Sequence, residues 1–122
     1  MPIIGVKRGA WIRQVIKVSC KVATGYRSVS AQVLGAVAVH PSLFQGEEGL
    51  GKWEVTVTGC GYSICRNLRT EGEALRVGQY LHDQLGSQLA GTSAATLRDE
   101  LPEWVGQWVK ECREKGGFVP RS

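Results

Sequence analysis

The chain has 122 residues, of which 43% are hydrophobic and 21% charged, and its formal net charge is +4. This length and balance predict one globular domain with a core that needs no staples, and exclude a disordered or fibrous chain. The longest uncharged stretch, residues 28–46, contains serine, glutamine, histidine and proline, which excludes a helical membrane span there.

The charge is unevenly placed. Residues 1–46 carry six basic side chains, Lys7, Arg8, Arg13, Lys17, Lys21 and Arg27, and no acidic one, whereas the rest of the chain holds nine basic and eleven acidic groups. An excess of this kind points to a polyanionic partner. The start, MPIIGVKRGAW, shows no apolar signal core, so a cytoplasmic location and reduced cysteines are expected.

In chain order, Pro2–Val6 offers a possible edge strand. Trp11–Ala23 then alternates, with Ile12, Ile16, Val18, Cys20 and Val22 on one parity and Trp11, Arg13, Val15, Lys17 and Lys21 on the other. Arg13, Lys17 and Lys21 would also align on a helix, but valine and isoleucine dominate and no N-cap precedes the run, so a strand is predicted. After a turn at residues 25–28, a second alternating run is read as one hairpin partner, with Val29, Ala31, Val33, Val37 and Val39 on one parity, ending at Pro41. Residues 41–52 are read as a glycine-rich loop. Trp53, Val55 and Val57 restart the alternation, and a turn at Gly59-Cys60-Gly61 leads to a returning strand from Tyr62.

Thr70-x-x-Glu73 is a capping box, and Ala74, Leu75, Val77, Gly78, Leu81 and Leu85 follow at helical spacing. Ser93 can cap a short turn through Leu97. Pro102 opens a last helix whose stripe is Leu101, Trp104, Val105, Trp108, Val109 and Cys112, stopped at Gly116-Gly117. The tail from Phe118 carries no evident structural requirement. The predicted architecture is α+β: an antiparallel sheet of four to five strands in two hairpins, followed by two to three C-terminal helices on one face. Residues 1–69 are mainly β, 70–116 mainly α and 117–122 a tail.

The functional expectation rests on the basic strand. With helices on one face, Arg13, Lys17 and Lys21 are expected to point outward beside Trp11, flanked by Lys7, Arg8, Tyr26 and Arg27. Cations that track phosphates and rings that stack on bases are how exposed sheets hold single-stranded nucleic acid. The competing reading is an edge strand protected by its charges. Arg66 and Arg69, just before the capped helix, form a second cationic spot, opposed by Glu71 and Glu73.

Cys20, Cys60, Cys65 and Cys112 show no close-spaced pair, and His40 and His82 are remote from them in sequence, so no metal or cofactor is expected. His40 and His82 read as surface histidines, and no catalytic motif appears. Trp104 and Trp108 are read as covering the sheet, the alternative being a face for a partner or a twin subunit. The expectation is a non-enzymatic nucleic-acid-binding protein. The alternative is a small accessory or inhibitor protein that docks on an acidic protein surface.

Overall fold

The computed structural model describes residues 10–19, 25–43, 51–91 and 101–121. Among these, the alternating runs form β1 (Ile12–Ser19), β2 (Tyr26–Leu34), β3 (Val37–Pro41), β4 (Trp53–Val57) and β5 (Tyr62–Leu68). Each strand pairs antiparallel with the next, in the order β1-β2-β3-β4-β5. Among the described residues two helices follow, α1 (Glu71–Ala90) and α2 (Glu103–Lys115), so the fold is α+β.

The fifth strand does not come from Pro2–Val6, which lies outside the described residues. It comes from a break inside residues 28–41, where the alternation by itself predicts one strand. Gly35 and Ala36 make a two-residue hairpin turn, with Gly35 at φ +58°, a conformation that suits glycine at this position. The turn also shifts the parity. Leu34 pairs with Val37 and Val33 with Ala38, so Val37 and Val39 share a face with Leu34 and not with Val33.

Cross-strand pairing sorts the sheet into two faces. One carries Leu34, Val37, Val39, Val55 and Val57, which form the main core with Ala74, Val77, Leu81 and Leu85 of α1 and with Val105, Trp108 and Cys112 of α2. The other carries Ala31, Val33 and Ala38 packed with Ile16, together with Thr56, His40 and Glu54. This second face is buried too. The Ser19 N–H donates to the Gly61 carbonyl at 2.7 Å, so β1 meets β5 at one end and the sheet rolls around its second face.

His40 is therefore interior, not a surface histidine. Its Nδ1 donates to the Pro41 carbonyl at 2.8 Å, which leaves Nε2 to accept from Thr56 Oγ1 at 2.7 Å. Opposite it, the Glu54 carboxylate accepts from Ser42 Oγ at 2.9 Å and from the Leu43 N–H. These buried polar groups are thus satisfied, as burial demands.

Thr70 caps α1 through its hydroxyl, which accepts from the Glu73 N–H at 3.1 Å. The reciprocal half of the capping box is replaced. Glu73 Oε1 accepts instead from the Phe118 N–H at 2.7 Å, and Oε2 meets Arg76 at 3.4 Å. The apolar stripe of α1 runs on to a buried Leu89. The helix α2 ends at Gly116, whose N–H donates to the Cys112 carbonyl. The Ser93–Leu97 turn lies outside the described residues. None of the described helices is long and apolar enough to cross a membrane.

The tail, in which the sequence shows no evident structural requirement, is a clasp. Trp108 Nε1 donates to the Val119 carbonyl at 2.6 Å. Phe118 meets Tyr80 and Trp108 edge-on, and Trp104 meets Tyr80 and Trp108 the same way. Arg121 lies 3.9 Å over the Trp104 ring and donates to Tyr80 Oη. The tryptophans of α2 thus bind α2 to α1 and to the tail as well as reaching the sheet. Truncation after Gly117 is expected to lower the unfolding free energy by about 2–4 kcal/mol, through lost Phe118 burial and the lost Trp108 bond. Urea denaturation followed by tryptophan fluorescence measures this directly.

Candidate functional site

The face that carries Arg13 and Lys17 is the face the helices cover, contrary to expectation. Arg13 pairs with Gln32, which pairs with Val39 of the main core, and directly paired residues share a face. Trp11 shows where the helix reaches. Its ring packs on α1 at Gly78, where an added Cβ would come within 2.8 Å of Cη2. It is therefore half-buried and not an outward stacking ring.

Arg13 and Lys17 remain exposed because they lie on β1, at the sheet margin, whereas α1 packs mainly over β3 and β4. Around them the surface is exposed as well: Val15 at 69% and Tyr26 at 54%, with Ser28 and Ser30 beside them. Arg13 donates to Ser30 Oγ at 3.2 Å. Lys17 pairs with Ser28 and Ser19 with Tyr26, so Arg13, Lys17 and Tyr26 share one face. Arg27 pairs with Val18 and emerges on the other. Lys7, Arg8, Lys21 and Cys20 lie outside the described residues, as does the acidic pair Glu47-Glu48.

At the end where β1 meets β5, an open cleft of about 690 Å³ is lined by Lys17, Tyr26, Tyr62 and the turn Thr58-Gly59-Cys60-Gly61. Gly61, at φ +74°, makes this junction possible. A Cβ there would come 2.8 Å from the Lys17 carbonyl and 2.9 Å from Tyr26 Cε1. The Tyr26 ring therefore rests on the backbone of the turn. Tyr62 pairs with Val57, which places it on the same face, and it is 38% exposed.

Tyr62 escaped the sequence reading. It follows a Gly-x-Gly turn more than forty residues from Lys17, and only the closure of β1 on β5 makes them neighbours. Among the described residues, no acidic side chain lines this cleft.

The second cationic spot is separate. Arg66 lies in β5, four residues from Tyr62, which is roughly 13 Å along a strand. Arg69 lies against Gly116, and its N–H donates to the Gly116 carbonyl. Asn67, at φ +67°, donates through Nδ2 to the Arg113 carbonyl. These contacts tie the end of β5 to the end of α2. At the start of α1 the Thr70 hydroxyl takes the Glu73 N–H, and the Glu73 carboxylate takes the Phe118 N–H.

Comparison with known proteins finds no matching family model, no similar curated protein and no similar solved structure. The chemistry of the site must then be read from its own residues. Among the described residues, no three histidine, cysteine or acidic side chains gather as a metal site.

The thiols differ in character. Cys60 is a free, half-buried thiol on the cleft. Cys65 is buried under α2. Burial, reinforced by the neighbouring Cys112, pushes its pKa from 9.0 up to about 12. Cys112 is likewise pushed up, chiefly by burial. Both thiols stay protonated at neutral pH and are poor nucleophiles.

The folded state holds the Cys65 proton more tightly than the unfolded state does. Its contribution to stability is intact below pH 9.0 and is lost as pH rises toward about 12. Urea midpoints are therefore expected to fall more steeply between those limits in the native protein than in a Cys65→Ala variant.

Proposed function

We propose that this protein is a non-enzymatic nucleic-acid-binding protein that takes a single strand across the exposed end of its β1–β2 face. The observation that supports this reading is the shared face of Arg13, Lys17 and Tyr26, left open by the helices in a stretch of sequence without acids. Arg13 and Lys17 stand four residues apart on a strand, about 13 Å, and offer two points of phosphate contact. Exposed Ser28 and Ser30 add hydroxyl donors between them. A ring such as Tyr26 stacks on any base, so binding on this face tolerates sequence. Duplex ends or grooves fit less well, because stacking needs bases already unpaired.

The second reading is a protein module that docks on an acidic surface. It is favoured by Val15, 69% exposed on the same face as Arg13 and Lys17, which sets an apolar side chain within the cationic surface. Affinity capture after nuclease treatment separates the two: an acidic protein that stays bound favours the module.

Fluorescence anisotropy with a labelled single strand tests the leading reading. Binding is expected to weaken with salt, with a log–log slope of about −0.7 for each phosphate contacted. Reversing both charges, Arg13→Glu with Lys17→Glu, is expected to weaken binding at least about tenfold at low salt. Unchanged affinity in that variant overturns the proposal.

A further inference from the structure

We infer that the cleft between Tyr26 and Tyr62 is a nucleotide subsite, taking one unstacked base between the two rings and its phosphate on Lys17. This rests on the single-strand reading above and names the place where that strand is gripped. Three observations carry it. The cleft joins one cation to two partly exposed rings, a set suited to a nucleotide, which is an anion with a flat apolar face. Its volume, about 690 Å³, lies within the roughly 300–1,000 Å³ range of small-ligand sites. Its geometry is held before any ligand arrives, because the Tyr26 ring rests on Gly61 and the Ser19–Gly61 hydrogen bond fixes the turn against β1.

The subsite also sets a direction. Arg13 lies farther along β1 on the same face, so a strand entering the cleft at Lys17 runs from there toward Arg13. Among the described residues that line the cleft, Lys17 carries the charge, and the rings contribute through stacking. Loss of a ring therefore weakens binding without changing the number of counterions released, whereas loss of Lys17 changes both.

Cys60 supplies a reporter inside the cleft. In a Cys20→Ser background, its alkylation by iodoacetamide is followed by mass spectrometry, with and without a thymidine decanucleotide. A saturating strand is expected to slow the reaction about tenfold or more. Tyr62→Ala is expected to weaken strand binding about tenfold with an unchanged salt slope, and Tyr62→Phe to retain it. Lys17→Gln is expected to lower the slope by about 0.7.

A strand that binds without protecting Cys60, and with equal affinity in Tyr62→Ala, overturns the subsite and leaves the single-strand reading standing. If no strand binds even at low salt, the single-strand reading fails. Protection of Cys60 by thymidine monophosphate then supports the cleft as a mononucleotide site, and lack of protection overturns it.

Discussion

A backbone hydrogen bond from the Ser19 N–H to the carbonyl of Gly61, in the turn just before β5, brings the first strand to the last. A five-strand antiparallel meander without it would be an open sheet with one face toward water. With β1 drawn against β5, the sheet rolls and its second face turns inward. That explains why Ala31, Ala38 and Thr56 are fully buried on a face opposite the main core. Small side chains suit the inside of a tight roll. Where a larger polar group enters, as with His40, a partner waits for it in Thr56. Gly61 is the residue the closure depends on, since the Lys17 carbonyl and the Tyr26 ring both occupy the space a side chain would need.

The helices complete the other face unevenly. The α1 helix packs over β3 and β4 and α2 over β5, with Tyr80, Trp104, Trp108 and Phe118 meeting where the helices and the tail converge. Aromatic edge-to-face contacts and the Arg121 cation over Trp104 add to plain burial at this joint. The cost of this arrangement is that β1 and the start of β2 stay outside the helical cover. The exposed basic face follows from that shortfall, not from a sheet face left bare by design. Trp11 marks the boundary: it lies under α1, while Arg13, two residues on along the same face, lies in solvent.

The elements were largely legible because alternation and helical spacing are local signals. The strands, both helices and the Thr70 cap fall where periodicity and capping chemistry put them. The break at Gly35 was missed because valine and alanine alternate straight through it, and Gly-Ala is a weaker turn signal than Asn-Gly or Asp-Gly. That one turn reversed the parity of Val37 and Val39. The tail was missed because FVPRS has no periodicity of its own, and its partners Glu73, Tyr80 and Trp108 lie in helices distant from it in sequence or on the far side of a glycine stop.

By itself the sequence determined the α+β order, the helix faces, the acid-free N-terminal third and the shared parity of Arg13 and Lys17. Those properties depend on neighbours a few residues away along a strand or helix. Tertiary structure alone decided which face the helices take, which basic residues stay in solvent, and that Tyr62 joins Lys17 and Tyr26 at a cleft. The physical reason is the range of the interactions. Strand parity says which side chains lie together, but the cover over them is set by the length and crossing of helices packed from far along the chain. The cleft itself exists only because two strand ends more than forty residues apart meet at Gly61.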